Sequence, residues 1–424
     1  MLDIHLIRDN IGTVEEALRK RHYEEDAKET LEKIKLLDLQ WRKIKKEEEE
    51  LRAERNKLGL DISSKKKAGE NAEKDLKRSG EVSTRIKDIS VETGTLEEQI
   101  RNELLLLPNI PHESVPMGET EKDNPVVRKW GEAKKDPDDV LSHYDIAHKT
   151  GLIDHERGVK LAEHRFAVLY GDIAKLERAL INFMLSVQTS RGYYEVAPPY
   201  LVNTKTMTGT GQLPKFSEQS YKCAMDDLWL IPTAEVPLTN LYAGEILDEK
   251  ELPKKFTAFS PCFRREAGEY GRDIKGLIRQ HQFDKVELVK FSHPNTSFDE
   301  LESLTKDAER ILQLLEVPYQ VVELCTGDLG FGSAKTYDIE AWIPSQGRYR
   351  EISSCSNFTD FQARRANIKF RSGDHLEFVH TLNGSGLAVG RTLIAVLENF
   401  QEDKKTVLIP KVLQDFMGKE TIEL

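Results

Sequence analysis

Apolar positions between residues 27 and 107 recur at alternating spacings of three and four, which predicts two long helices with narrow hydrophobic seams. The first seam carries Ile34, Leu37, Trp41, Ile44, Leu51 and Leu58, with the polar Glu48 and Arg55 between them, and the second carries Val82, Ile86, Ile89, Thr93, Leu96, Ile100 and Leu107. Residues 59–64, a lysine triplet and Gly69 separate the two seams with helix-breaking composition. We therefore predict an antiparallel helical hairpin that folds back in this stretch.

Residues 108–137 have a different composition, with five prolines that predict a linker. Beyond the linker, helical patterns at residues 172–185, 298–315 and 387–400 are mixed with short strand patterns. The predicted strands are residues 229–231, 256–263, 282–290, 319–324, 336–342 and 348–354. Because most strands follow one another with few crossover helices, we predict an α+β domain with an antiparallel sheet and flanking helices.

Length and charge limit the classes of function. A chain of 424 residues has room for two domains and a large core. A net charge of -11 excludes a protein that binds polyanions over its whole surface, so any contact with nucleic acid needs a local basic patch. Such a patch is predicted near the hairpin tip, at Lys65, Lys66, Lys67, Lys74, Lys77 and Arg78. Taken alone, the hairpin is more typical of a dimerisation or spacer element than of a nucleic-acid-binding arm.

The remaining composition predicts a cytoplasmic protein without a membrane anchor. The four cysteines are scattered and form no CxxC pair, which argues against a disulfide framework and a tetrathiolate zinc site. The first residues lack a basic segment followed by an apolar one, so no signal peptide is predicted. No apolar run approaches the roughly 20 residues that a membrane-spanning helix needs.

Two clusters carry the candidate chemistry. In the first, Arg264 and Glu266 are predicted to share one face of a strand, and Arg279, Phe283 and Glu287 follow. The second cluster, residues 384–391, is predicted to be a glycine-rich turn that leads into an apolar helix with Arg391 at its start.

Together the two clusters have what nucleotide activation requires. Attack of a carboxylate on a phosphate concentrates negative charge, which Arg264 and Arg279 could stabilise by two-point contacts. Phe283 and Arg391 could enclose a purine between two flat groups. Glu351 and Ser354 offer oxygen ligands for magnesium. Each feature alone also suits a surface ion pair, a simple turn or a core residue; their joint occurrence in this order favours the nucleotide site.

These clusters resemble motifs 2 and 3 of class II aminoacyl-tRNA synthetases, and residues 191–199 resemble motif 1, the dimer-forming motif. The Thr-Ala-Glu sequence at 233–235 resembles the substrate loop of seryl-tRNA synthetases in particular. Residues 1–21, the hairpin, 123–131, 263–288, 351–354 and 383–386 resemble the bacterial type of that family. The resemblance covers nearly the whole chain.

The resemblance implies a tRNA-binding domain at residues 1–107, the linker at 108–137 and a catalytic domain at 138–424. It implies that serine binds to Thr233, Glu235, Glu287, Asn383 and Ser385. ATP would bind to Arg264, Glu266, Arg279, Phe283, Glu351, Ile352, Ser353, Ser354 and Arg391, with Arg264, Arg391 and Glu351 as catalytic groups and Glu351 and Ser354 as magnesium ligands. The tRNA would contact Lys65, Lys66 and Lys67 at the hairpin and Tyr270 and Arg272 at its acceptor end.

The implied activity is the ATP-dependent formation of seryl-adenylate from L-serine, followed by transfer to the 3′ end of tRNA-Ser and, where it exists, tRNA-Sec. The implied enzyme is a homodimer that uses Mg2+ and no zinc, because the ligand set of methanogen-type relatives is not evident. One alternative is a catalytically silent paralogue that binds RNA or protein. A threonyl or prolyl enzyme would need a C-terminal anticodon-binding domain, for which residues 401–424 are too few. A purely structural coiled coil conflicts with the mixed domain.

Overall fold

The computed structural model describes residues 1–267 and 276–424, and the chain divides into two compact units. Residues 2–108 form one unit, and residues 109–424 with Met1 form the other. The helices are α1 (Ile4–Asp9), α2 (Ile11–Lys20), α3 (Glu24–Ala68), α4 (Glu73–Leu104), α5 (His143–Thr150), α6 (His155–Leu161), α7 (Gly171–Ser190), α8 (Thr204–Gly209), α9 (Glu235–Thr239), α10 (Ser297–Leu315), α11 (Phe361–Ala366), α12 (Val389–Asn399) and α13 (Lys411–Met417). In the described ranges, no helix has the length and apolarity to cross a membrane.

The strands belong to the larger unit. They are β1 (Val126–Trp130), β2 (Ile153–Asp154), β3 (Val168–Leu169), β4 (Tyr194–Glu195), β5 (Leu201–Asn203), β6 (Leu228–Leu230), β7 (Ile246–Asp248), β8 (Lys254–Phe263), β9 (Gln282–Ser292), β10 (Tyr319–Glu323), β11 (Lys335–Ile343), β12 (Arg348–Asn357), β13 (Lys369–Ser372), β14 (His375–Phe378), β15 (His380–Ala388), β16 (Thr406–Leu408) and β17 (Thr421–Glu423).

The predicted hairpin is confirmed, but the helices break only at the end of the predicted stretch of residues 59–69. Helix α3 continues through residues 59–64 and ends at Gly69, whose φ of 71° is left-handed. The backbone N–H of Gly69 bonds to the carbonyl groups of Lys65 and Lys66, which is a common way for a helix to end. A glycine inside a helix costs only about 1 kcal/mol, which contacts with α4 along the seam can offset.

The hairpin seam is apolar near its base and partly polar along α3. Ile34 on α3 and Ile89 on α4 are fully buried. Glu48 is also buried, and it accepts hydrogen bonds from Lys45 at 2.7 Å and from Arg52. Trp41 donates from its indole N–H to Glu97 at 3.0 Å, which joins the two helices. Polar pairs therefore accompany the apolar contacts that hold the two helices together.

The larger unit is built on an eight-stranded sheet in the order β1-β10-β11-β12-β15-β9-β8-β4. All neighbouring strands in it are antiparallel except β4 and β8, which are parallel. Helices α7, α10 and α12 contribute apolar side chains to the main core together with the sheet. The predicted α+β architecture is confirmed, and the predicted strands and helices lie within a few residues of the observed ones.

The glycine-rich segment at residues 384–386 is a strand, so the predicted turn is wrong. It forms part of β15, in which Asn383 pairs with Val289 and Ser385 with Glu287. A Cβ on Gly384 would lie 2.4 Å from Leu304 Cδ2 and 2.7 Å from Cys355 Sγ. Glycine is therefore favoured here by close packing in the core.

Candidate active site

A cavity of about 540 Å3 lies against the sheet of the larger unit, lined by β9, β12 and β15, the start of α12 and adjoining loops, among them the segment after β8. Most residues predicted for serine and ATP line it, namely Thr233, Glu235, Arg264, Glu266, Arg279, Phe283, Glu287, Glu351, Ile352, Ser354, Asn383, Ser385 and Arg391. The alternation of strands explains much of this set, because residues two apart share a face. Phe283 and Glu287 thus meet Asn383 and Ser385 on one wall.

Three predicted positions differ from expectation. Strand β8 ends at Phe263, and Glu266 has a left-handed φ of 47°, so Arg264 and Glu266 do not share a strand face as predicted. Both nevertheless line the cavity. Ser353 lies behind the wall, where its hydroxyl donates to the carbonyl oxygen of Ser385 at 2.6 Å. Tyr270 and Arg272 lie outside the described residues.

Two buried carboxylates define one part of the cavity. The hydroxyl of Thr233 donates to Glu287 Oε2 at 2.6 Å and accepts from the backbone N–H of Glu235 at 3.1 Å. Lys285 also forms an ion pair with Glu287. Burial, assisted by the charge of Glu287, raises the pKa of the Glu235 carboxyl to about 7. This part of the cavity can bind a cation or read a hydroxyl group.

Three guanidinium groups line another part of the cavity. Arg264 lies over the Phe283 ring, with 5.1 Å between its Cζ and the ring centroid. Arg279 pairs with Glu266 at 2.6 Å. Arg391 donates to the carbonyl oxygen of Glu351 at 2.7 Å and to its carboxylate at 3.1 Å. These fixed cations suit a phosphate chain, and the aromatic ring suits a base.

The surroundings of Glu351 fit a divalent cation. Asp338 pairs with Ser354 across β11 and β12, and its buried Oδ1 has no hydrogen-bond partner in the described ranges. Burial, followed by the charge of Glu351, raises the pKa of Asp338 well above its ordinary value. The Glu351 side chain is 49% exposed, and the neighbouring charge of Arg391 holds the pKa of its carboxyl below the ordinary value. Carboxyl and hydroxyl oxygens are the ligands that Mg2+ prefers.

Residue-by-residue reasoning missed Asp338, Lys285 and Gln280. Lys285 and Gln280 line the cavity, and Lys285 alternates with Phe283 and Glu287 on β9, so strand periodicity was the signal that could have identified it. Asp338 is 13 positions from Glu351 along the chain, and only the register of two strands brings it near. Within residues 1–267 and 276–424, no group of three or more His, Cys, Asp or Glu side chains is placed to hold a metal ion, and the expectation of no zinc stays a prediction.

Comparison with known proteins agrees with this geometry. The tRNA synthetase class II core domain (G, H, P, S and T) matches residues 221–400, and the seryl-tRNA synthetase N-terminal domain matches residues 1–111. The serine–tRNA ligase of Fervidobacterium nodosum is 52% identical over 100% of this chain and 99% of its own. That of Thermotoga petrophila is 55% identical over 100% of both chains.

A solved structure is similar throughout. The crystal structure of seryl-tRNA synthetase from Pyrococcus horikoshii complexed with ATP superposes with a TM-score of 0.90 at 41% identity, covering 100% of this chain and 99% of that one. The antiparallel sheet and its arginine-lined cavity, with the matched core domain, are those of a class II aminoacyl-tRNA synthetase. Within that class, the chain belongs to the seryl-tRNA synthetase family.

Proposed function

We propose that this protein activates L-serine with ATP and transfers the seryl group to the 3′ end of tRNA-Ser and, where it exists, of tRNA-Sec. The observation that carries the proposal is one cavity that contains both a buried acidic pocket and a cluster of arginines. The first suits an amino acid with a hydroxyl group, and the second suits a nucleoside triphosphate. Membership of the family supports the same activity.

Serine binds where Thr233, Glu235 and Glu287 meet, with Asn383 and Ser385 on the same wall. A buried carboxylate stabilises the ammonium group of the amino acid because the cation replaces lost solvation. A second polar group reads the side-chain hydroxyl. A pocket built to hydrogen-bond a hydroxyl strongly rejects an analogue that lacks it, because its own polar groups are then left unpaired.

ATP binds along the arginine-lined wall. The carboxylate oxygen of serine attacks the α-phosphorus, the bond to the bridging oxygen breaks, and pyrophosphate leaves. Arg264 and Arg391 stabilise the charge that develops, while Phe283 supports the adenine; Glu266, Arg279 and the backbone around Ile352 and Ser353 complete the ATP site. Glu351 and Ser354, with Asp338 behind them, would hold Mg2+, which neutralises phosphate charge. Positioning and electrostatics then supply the catalysis.

The hairpin is the proposed tRNA-binding element of a homodimer. Lys66 and Lys67 are exposed in the last turn of α3, while Lys65 forms an ion pair with Asp75 at 2.5 Å. Double-stranded RNA is recognised mainly through its shape and phosphates, which a basic two-helix arm can follow. We expect the arm of one subunit to hold the long variable arm of a tRNA charged at the other, in the cytoplasm.

Amino-acid-dependent exchange between ATP and pyrophosphate tests the activation step without tRNA. We expect serine to drive exchange far above threonine, alanine and cysteine, because the pocket binds both the ammonium and the hydroxyl group. A folded protein that exchanges with none of the four would contradict the proposal and favour a silent paralogue that binds RNA or protein.

Replacing Gly276 by alanine should impair activation. Gly276 has a φ of 84°, and a Cβ there would lie 2.1 Å from His143 Nε2. The His143 ring cannot easily move, because its Nδ1 bonds to the buried Glu398 at 2.9 Å. The backbone leading to Arg279 must therefore shift, and a 1 Å displacement can cost about a hundredfold in rate.

Exchange rates and thermal unfolding would measure this effect. Gly373→Ala is the matched control, because Gly373 has a φ of 59° but no atom within 4 Å of the added Cβ. The control should lose about 1–3 kcal/mol of stability at most and keep its exchange rate. Equal activity in the two variants would show that the contact with His143 has no role in the site.

A further inference from the structure

A buried amide contacts the serine pocket from behind. Gln362 on α11 is 1% exposed, and its Nε2 donates to Glu235 Oε1 at 2.7 Å. The same nitrogen donates to the carbonyl oxygen of Thr210 at 3.2 Å. On the other side, the hydroxyl of Thr381 donates to Gln362 Oε1 at 2.7 Å. Thr381 is itself fully buried, so this chain of hydrogen bonds is shielded from solvent.

The contacts fix the orientation of the amide. A carbonyl oxygen such as that of Thr210 can only accept, so the nitrogen of Gln362 must be on that side. Its oxygen then faces Thr381, whose hydroxyl supplies the matching donor. Glu235 is therefore held through Oε1, and because it lines the cavity, its second oxygen remains for a ligand.

We propose that Gln362, itself held by Thr381, is a positioning residue that sets the affinity of the site for serine by fixing the Glu235 carboxyl. The inference rests on the proposed function and deepens it. Gln362 does not line the cavity, so its effect on the substrate passes through Glu235. A mobile carboxylate would have to become ordered when serine binds. The entropy lost in that ordering would weaken the binding of the amino acid.

The affinity of the site for serine should also depend on pH. The charged groups that act on Glu235 are Glu287 and Lys285 on β9 and Arg264 after β8. Burial and Glu287 raise the pKa of Glu235 to about 7, while the hydrogen bond from Gln362 lowers it. If the ionised carboxylate binds the serine ammonium, the KM for serine falls as pH rises through about 7. Removal of the amide raises this pKa further, so the fall should occur at higher pH.

The test compares Gln362→Met with the wild-type protein in serine-dependent pyrophosphate exchange between pH 6 and 9, roughly one to two units either side of the midpoint. Methionine keeps the length of the side chain but removes the amide oxygen and nitrogen. We expect the KM for serine to rise about tenfold, the scale of one lost charge-assisted hydrogen bond, with an unchanged KM for ATP. The pH at which the KM for serine falls should move upward. Thr381→Val, which leaves Glu235 untouched, should give a smaller change in the same direction.

Gln188→Met controls for the general loss of a buried amide. Gln188 is fully buried on α7 and donates to the carbonyl oxygen of Asp307 at 2.9 Å, outside the cavity lining. The Gln188→Met substitution should lower thermal stability without changing the KM for serine. A folded Gln362→Met variant with the wild-type KM for serine and the wild-type pH profile would overturn the inference. Equal increases in the KM for serine and the KM for ATP would overturn it as well. Absence of serine-dependent exchange in the wild type would instead refute the proposed function.

Discussion

Replacing Glu287 by glutamine is expected to lower kcat/KM for serine in pyrophosphate exchange by about a hundredfold or more, the equivalent of breaking a buried charged contact. Glu287 is 1% exposed and joins Thr233 and Lys285. Glutamine keeps the shape of the side chain but removes its charge. The ammonium group of Lys285, itself buried, then loses its partner and repels the ammonium of the incoming substrate.

Glu300→Gln is the matched control for this prediction. Glu300 pairs with the fully buried Lys290 at 2.7 Å, and Lys290 lies on the same strand as Lys285. Neither residue of this second pair lines the cavity. The control should therefore lose stability while its kcat/KM for serine stays close to that of the wild type. Similar losses of exchange in both variants would mean that Glu287 contributes to the stability of the fold and not to the binding of serine.

Removal of the hairpin, by replacing residues 30–100 with a short glycine-serine linker, is expected to spare exchange and abolish charging of tRNA. Every residue that lines the cavity belongs to the unit of residues 109–424, which has its own core. We expect exchange within a few-fold of wild type and aminoacylation lower by roughly a thousandfold, as losing several phosphate contacts implies. Both rates, measured on the same preparation, check this prediction.

A double substitution at the hairpin tip tests the contribution of its positive charge without changing its helices. Lys66→Gln with Lys67→Gln keeps both helices and removes two exposed cations near the turn at Gly69. The KM for tRNA should rise and become less dependent on salt, since fewer counterions are released on binding. A folded deletion variant that loses exchange, or one that still charges tRNA, would contradict the proposed role of the hairpin.

Local patterns in the sequence predicted most of the fold. The seam periodicity predicted α3 and α4, and alternation predicted β8 to β12. The same patterns misplaced two features. Glycine and serine at residues 59–64 predict a break that begins too early, because packing of α3 against α4 outweighs their local preference and the helix continues to Ala68. Glycine also predicts a turn at residues 384–386, although Gly384 is a strand residue in close contact with Leu304 and Cys355.

The candidate site was predictable to the extent that its residues share a motif or a strand face. Phe283 and Glu287 on β9 are examples, and so is Arg391 in the first turn of α12. Asp338 and Gln362 were not predictable in this way. Gln362 is 127 positions from Glu235, and neither stands in a pattern that indicates the other.

Short-range periodicity and residue type were enough to predict the two-helix arm, the strands of the sheet and the charged groups available to the site, and the motifs carried the family resemblance. The strand conformation at Gly384, the left-handed backbone at Glu266 and the contact of Gln362 with Glu235 emerged only in the folded chain. These properties depend on burial and on neighbours from distant segments, which a local pattern does not contain. The pKa of Glu235, raised to about 7 by burial and then by Glu287, is the plainest case.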